Sequence, residues 1–321
     1  FIAAWLAIRA RPDSADGSTI RINGDVVEVG KSASSKTARR VAVVISLIVG
    51  VIFGSQFNAN WSEILLMFNA QKFGTTDPQF GLDNGFYVFV LPGLKLVLAA
   101  VAMLLGVGLV FSLVTHVLMG GIRITMPVNG RGLFSITKRA RRQLGIWLIL
   151  NMLAWSVRQV LGVFEQLTVQ GSRITGASYT AVHANIPVTF IMAALTAILG
   201  VVLGVWLMRS HALEGQASIG VRASAALKAW RVPVIAIAAT VVVGMVLTIA
   251  WPMLLQRFRV NPNAQEMEST YIQRNIDATR AAYGLDKLKT EQYKVTDKGE
   301  QGALAKEADT TAQIRLLDPQ V

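Results

Sequence analysis

The chain has 321 residues, 53% of them hydrophobic and only 16% charged, with a mean hydropathy of +0.47. A soluble domain carries about 25% charge, so this balance excludes an ordinary soluble globule and points to a membrane protein. The net charge is +12, but the basic residues sit in short loops between apolar segments, without aromatic interleaving, which argues against a nucleic-acid partner. Cysteine is absent, which removes disulfides, thiolate nucleophiles and cysteine-ligated metals.

In chain order, "FIAAWLAI" at 1–8 is too short to cross about 30 Å of hydrocarbon and lacks a basic leader and a cleavage pattern. It reads as the tail of a truncated helix. "IRINGDVVEV" at 20–29 places Asn23-Gly24 between alternating residues, a hairpin signal; an ordinary tethered loop is the other reading. Complete spans are expected at about 41–57, 94–118, 143–164, 186–208 and 232–256, each long enough to cross at 1.5 Å per residue. Pro92 and Gly93 interrupt the second apolar stretch, predicting a short element at 86–91 before the main span. In "NWSEILLMFN" at 60–69, Ile64, Leu65 and Phe68 fall on one helical side with Trp61 a turn earlier. That suits a helix lying in the interface as well as a packed loop helix.

The loops alternate in charge. Segments 9–40, 119–142 and 209–231 are rich in Arg and Lys, whereas 58–85 has Lys72 and 165–185 has Arg173. The positive-inside rule then predicts that the first three are cytoplasmic and that 257–321 emerge on the far side. The expected fold class is all-α, a polytopic helical bundle in the bacterial plasma membrane, followed by an extracytoplasmic connector and the start of a mostly missing soluble domain.

That connector, "YIQRNIDATRAAYGLD" at 271–286, has a structural role for every residue type. Thr270 and Gln273 suit a capping box, and Ile272, Ile276, Thr279 and Tyr283 recur on one face. Gly284 suits the left-handed position after the helix, with Leu285 closing the contact behind it. No acid, base or nucleophile is set against a partner there.

Together with "TDPQFGLDNGFYVFVLP" (76–92), "THVLMGGIRI" (115–124), "TGASYTAVHANIP" (175–187), "LLQRFRVNPN" (254–263) and "IRLLDPQV" (314–321), this segment resembles uncharacterised protein family 0182, large bacterial membrane proteins. The resemblance runs from about residue 41 to 321, and the 12–35 stretch departs from it. It implies about seven membrane helices followed by a large extracytoplasmic domain, with one span and part of another preceding Phe1. It transfers no functional residue.

The candidate polar residues are few. Asp77 and Asp83 could hold Ca²⁺, but such a site wants six to eight oxygens, and the alternative is that Asp77-Pro78 and Gly81 shape turns. Lys95, near a helix end, can snorkel to headgroups. Arg158 lies deeper in its span and needs water, a partner or snorkelling; Glu165, two turns on, shares its face at too long a reach. Arg139, Arg141 and Arg142 suit anionic lipid heads. His116 and His183 suit packing, and Ser178, Tyr179 and His183 form the nearest approach to a nucleophile cluster. Gly50, Gly54, Gly106 and Gly108 suit close helix contacts. Catalytic, cofactor and metal sites are therefore not expected. The partners are membrane lipids, with other envelope proteins open. The function expected is a non-enzymatic scaffold or accessory subunit; the alternative is a transporter or lipid-handling protein built around Arg158.

Overall fold

The computed structural model describes residues 2–9, 18–22, 25–29, 35–125, 133–170, 175–210, 219–289 and 291. The Asn23-Gly24 turn, Arg131, Arg173 and "IRLLDPQV" lie outside the described residues. The chain divides into two compact units, Phe1–Asn275 and Ile276–Val321.

The first unit opens with α1 (Ile2–Arg9) and an antiparallel pair, β1 (Ser18–Ile22) with β2 (Asp25–Val29). Ile22 pairs with Asp25, so the register leaves the two-residue connection expected from Asn23-Gly24. Then follow α2 (Ser35–Ala59), α3 (Trp61–Phe68), α4 (Leu91–Leu118), the pair β3 (Ile122–Thr125) and β4 (Leu133–Ile136), α5 (Lys138–Glu165), α6 (Ile186–Arg209), α7 (Ile219–Met245), α8 (Trp251–Leu255) and α9 (Ala264–Ala282). Among the described residues, four helical stretches are long and apolar enough to cross a membrane: Phe86–Leu118, Lys138–Glu165, Ala181–Arg209 and Arg231–Val260. They contain four of the five expected spans. The fifth, 41–57, lies within α2. The β3–β4 pair was not expected in the 119–142 loop, and α7 begins inside the expected 209–231 loop.

Pro92 does not break its helix. The five residues before α4, Phe86–Val90, form a wide π-turn, and Leu91 N–H bonds back to the Phe86 carbonyl. The same arrangement precedes Pro187 (Ile186 to Ala181), Pro252 (Trp251 to Val246) and Pro262 (Asn261 to Gln256). Proline lacks an N–H and its ring presses on the carbonyl four residues back. A turn widened to an i→i+5 bond relieves that clash, so the helix continues through Pro92, Pro187 and Pro252 where a strict α-turn would kink, whereas at Pro262 three turn residues, 261–263, precede α9.

The most extensive packing joins α5 to α6, with α4 on the other side of α5. Gly145 and Gly204 face each other across the α5–α6 contact, and the Met152 side chain fills the space over Gly200. Of the four glycines expected to allow such contacts, Gly108 lies under the Trp147 ring, whereas nothing described lies within 4 Å of a Cβ at Gly50 or Gly54. A small core forms at one end, where Ile122, Ile136, Ala140 and Leu144 meet Leu109, Trp206 and Leu207. Outward residues of the long helices, among them Leu104, Val110, Val234, Ile235 and Val242, are apolar and exposed, as a lipid-facing surface requires.

Candidate functional site

Two ends of the bundle carry the polar structure. At one end the loop 69–85 is built on two carboxylates. Asp77 is buried and accepts hydrogen bonds from Gln79 N (2.8 Å), Phe80 N (2.6 Å), Leu82 N (2.9 Å) and the Tyr87 hydroxyl (2.8 Å). Asp83 accepts from Phe73 N (3.0 Å), Gly74 N (2.9 Å) and Gly85 N (2.7 Å). Gly81 takes the left-handed conformation (φ 67°) that closes the turn. Burial alone would raise the Asp77 carboxyl, but the bonds from Phe80, Tyr87, Gln79 and Leu82 outweigh it and hold its pKa below the ordinary value. The bonds from Phe73 and Gly85 do the same for Asp83. Both side chains stabilise turns, which is the reading opposed to calcium at these positions. Among the described residues no group of three His, Cys, Asp or Glu side chains is placed to hold a metal ion.

This loop leans on the bundle through aromatic rings. Phe80 meets Phe164 edge-on with centroids 5.1 Å apart, and Phe86 meets the same ring at 5.6 Å. Beside them Lys95 of α4 forms an ion pair with Glu165 of α5. Lys95 therefore has a protein partner, where snorkelling to headgroups was expected, and Glu165 serves Lys95 across the helix contact. Arg158 is exposed, its guanidinium 5.8 Å from the Trp155 ring centroid on the same helix. It is not brought together with Lys95, Asp77 or Asp83 by any described contact.

The start of α9 is fastened to the same end. Glu268 is buried and accepts from Tyr179 N (3.0 Å), Asn275 donates to the Thr175 carbonyl (2.8 Å), and Arg274 reaches Gln79 (3.4 Å) while lying over the Tyr271 ring. Thr180 donates to Gln256 nearby. Tyr179 also stacks edge-on with His183 at 4.2 Å, and Ser178 Oγ accepts from Ala181 N. Ser178 and Tyr179 thus have structural partners in the loop and helix start.

Helix α9 begins at Ala264, six residues before the expected Thr270 cap. Pro262-Asn263 with Glu266 in the first turn is the start signal that was missed; Met267 N bonds to the Asn263 carbonyl. Tyr271 and Ile272 are half-buried, but from Ile276 onward the expected apolar face is exposed. In the second unit, Gly284 is left-handed (φ 67°), as the sequence requires, and its N–H bonds to the Ala281 carbonyl, while Leu285 stays exposed.

At the opposite end, Arg141 is fully buried and donates to the Ser210 carbonyl at the end of α6, while Arg139 and Arg142 are exposed. Arg141 is therefore withdrawn from the three arginines expected to suit lipid heads, and only Arg139 and Arg142 are exposed. The helical period explains the split: Arg141 stands one turn before Gly145 and Leu144, on the face turned to α6. His116 is also buried; its Nε2 is 3.1 Å from Gln143 Oε1, and Gln143 donates to the Ala3 carbonyl at 2.8 Å. This chain of contacts joins α4, α5 and α1.

The sequence profile of the uncharacterised protein family UPF0182 matches residues 1–321. The chain belongs to that family. The match includes residues 1–40, which the resemblance left out. UPF0182 proteins similar to it include one of Bifidobacterium longum, 93% identical over 100% of this chain, and one of Bifidobacterium adolescentis, 77% identical over 100%. One of Corynebacterium diphtheriae is 33% identical, again over 100% of this chain. The chain spans about 30% of the length of each of these UPF0182 relatives. No solved structure matches it.

Proposed function

We propose that this UPF0182 chain is the membrane platform of a non-enzymatic scaffold or accessory subunit that anchors an extracytoplasmic domain in the bacterial envelope. One observation carries the reading: the polar groups of the loop-bearing end serve to hold α9. Glu268, Arg274 and Asn275 fasten its first half to the segments 175–180 and 77–82. Asp77 and Asp83 in turn stiffen the loop that receives it. A helix held at several points up to Asn275 fixes the direction in which the chain leaves the bundle, which an anchor needs and a passive tether does not.

In this reading the plasma membrane surrounds the long helices, the Arg- and Lys-rich loops are cytoplasmic, and 257–321 are extracytoplasmic. Loop charge supports that orientation. Transport through a path at Arg158 receives less support, because that side chain is exposed on an outer face beside Trp155.

The test uses the complete protein purified in mild detergent, with co-purifying molecules identified by mass spectrometry. The anchor reading expects reproducible, stoichiometric envelope proteins that are lost when the region following α9 is removed. A single retained solute or lipid with no protein partner would sink it in favour of transport or lipid handling.

A further inference from the structure

We infer that α3 is a membrane-interface helix whose outer face inserts Trp61, Leu65 and Phe68 among lipid acyl chains at the level of Gly93. Two observations from different parts of the chain carry this.

The first is how α3 is divided. Its inner side is locked against α4. A Cβ added at Gly93 would stand 2.8 Å from Met67 Cβ and 3.0 Å from the Glu63 carbonyl oxygen, so the two helices touch there with only a glycine between them. The side turned away carries Trp61, Leu65 and Phe68, one per turn, exposed to 61, 51 and 78%. Nothing described in the protein covers them. The helix end is closed internally, since Asn69 N–H and its side-chain amide both bond to the Leu65 carbonyl. A backbone sealed in this way tolerates a low-dielectric boundary.

The second is depth. The stretch Phe86–Leu118 holds 33 residues, about 50 Å of helix, which exceeds the hydrocarbon thickness by about 10 Å at either end if centred. Gly93 lies about 10 Å from its start. The polar residues give the same level independently. Between Lys95, ion-paired to Glu165, and His116 runs a charge-free segment, 96–115, about 30 Å long and close to one hydrocarbon thickness. Gly93 is two residues beyond Lys95, and α3 rests on it. At the same level the stretch 86–97 exposes Val88, Leu94 and Val97, so the α3 face extends a surface already apolar. Tryptophan at such a boundary is the favoured anchor, and a helix with one apolar face lies in the interface plane.

The experiment exploits the absence of cysteine. Single substitutions Trp61→Cys, Leu65→Cys and Phe68→Cys are spin-labelled in the chain reconstituted in phosphatidylethanolamine–phosphatidylglycerol vesicles. Val101→Cys on the outer face of α4 serves as the lipid reference and Gln265→Cys on α9 as the water reference. Collision with oxygen is compared with collision with a nickel chelate. The expected result is oxygen prevailing at 61, 65 and 68, as at 101, in contrast to 265. Nickel-chelate access equal to that at 265 would place the face in water and overturn the inference. Low access to both reagents would mean a protein covers the face and would also overturn it; recovery of oxygen access on lipid dilution would then identify a second copy as the cover. Three sites are labelled separately, so one misfolded variant leaves the test intact.

Discussion

Gly145 of α5 and Gly204 of α6 face each other so closely that a Cβ on either would stand 2.7 or 2.8 Å from the carbonyl oxygen of the other. The Met208 and Ile149 side chains crowd the same two places, and even if they move aside the carbonyl oxygens of the facing backbone cannot. Gly204→Ala is therefore expected to destabilise the bundle by about 1–3 kcal/mol, as overpacking does. Gly54→Ala is expected to be neutral or slightly stabilising, because nothing described stands near its Cβ and alanine favours helix. Thermal unfolding of the two variants in one detergent checks the contrast.

Arg141 and Arg142 are sequence neighbours with opposite fates. Truncating the buried Arg141 to alanine removes its bond to the Ser210 carbonyl and its packing, with an expected loss of about 3 kcal/mol. Arg142→Ala, on an exposed position, is expected to change stability by less than about 0.5 kcal/mol. Equal effects in a denaturant titration would refute the division.

The Asp77 loop gives a pH prediction. Both Asp77 and Asp83 have folded pKa values below the ordinary 3.8. Their stabilisation is thus complete above pH 3.8 and is lost as pH falls through the lower folded values. Asp77→Asn keeps the shape, but its single amide oxygen can serve only one pair of donors, either Gln79 N with Phe80 N or Leu82 N with the Tyr87 hydroxyl. It is expected to cost about 2 kcal/mol at neutral pH and to flatten the acid dependence. Amide hydrogen exchange at Phe80 and Leu82, followed from pH 6 downward, reads both effects.

Lys95 and Glu165 are 41 and 39% exposed, so their pair is expected to be worth about 1 kcal/mol or less in detergent. A double-mutant cycle with Lys95→Met and Glu165→Gln measures it. The charge swap Lys95→Glu with Glu165→Lys is expected to recover most of the single-variant loss; failure to recover would mean the two side chains do not act as a pair.

Arg158→Leu is expected to alter stability by no more than about 1 kcal/mol, the worth of an exposed contact with Trp155. It is also expected to leave any envelope-protein partners of the complete protein unchanged. Loss of those partners, or of a bound solute, would restore Arg158 as a functional residue.

Sequence by itself determined the membrane character, the four long apolar helices and several turns. Apolar run length sets a span regardless of neighbours, Asp77-Pro78 with Gly81 encodes a turn locally, and Gly284 is left-handed because a residue without Cβ adopts that conformation at least cost. Asn23-Gly24 between alternating residues signalled a hairpin but left a tethered loop open, and the structure pairs β1 with β2. Tertiary structure decided which polar group meets which. Lys95 and Glu165 are 70 positions apart, and no periodicity within either helix reveals that α4 and α5 bring them together. The burial of Arg141 depends on which face of α5 turns toward α6. Gly145 and Gly204 became the close contact, while Gly50 and Gly54 did not, because a small residue permits an approach but only a facing helix makes one. The helix start at Thr270 was misjudged because Pro262-Asn263 with Glu266 opens α9 six residues earlier; the start at Pro92 was misjudged for a backbone reason. A proline forbids only the strict α-turn before it, and the backbone took the wider turn that sequence rules leave out.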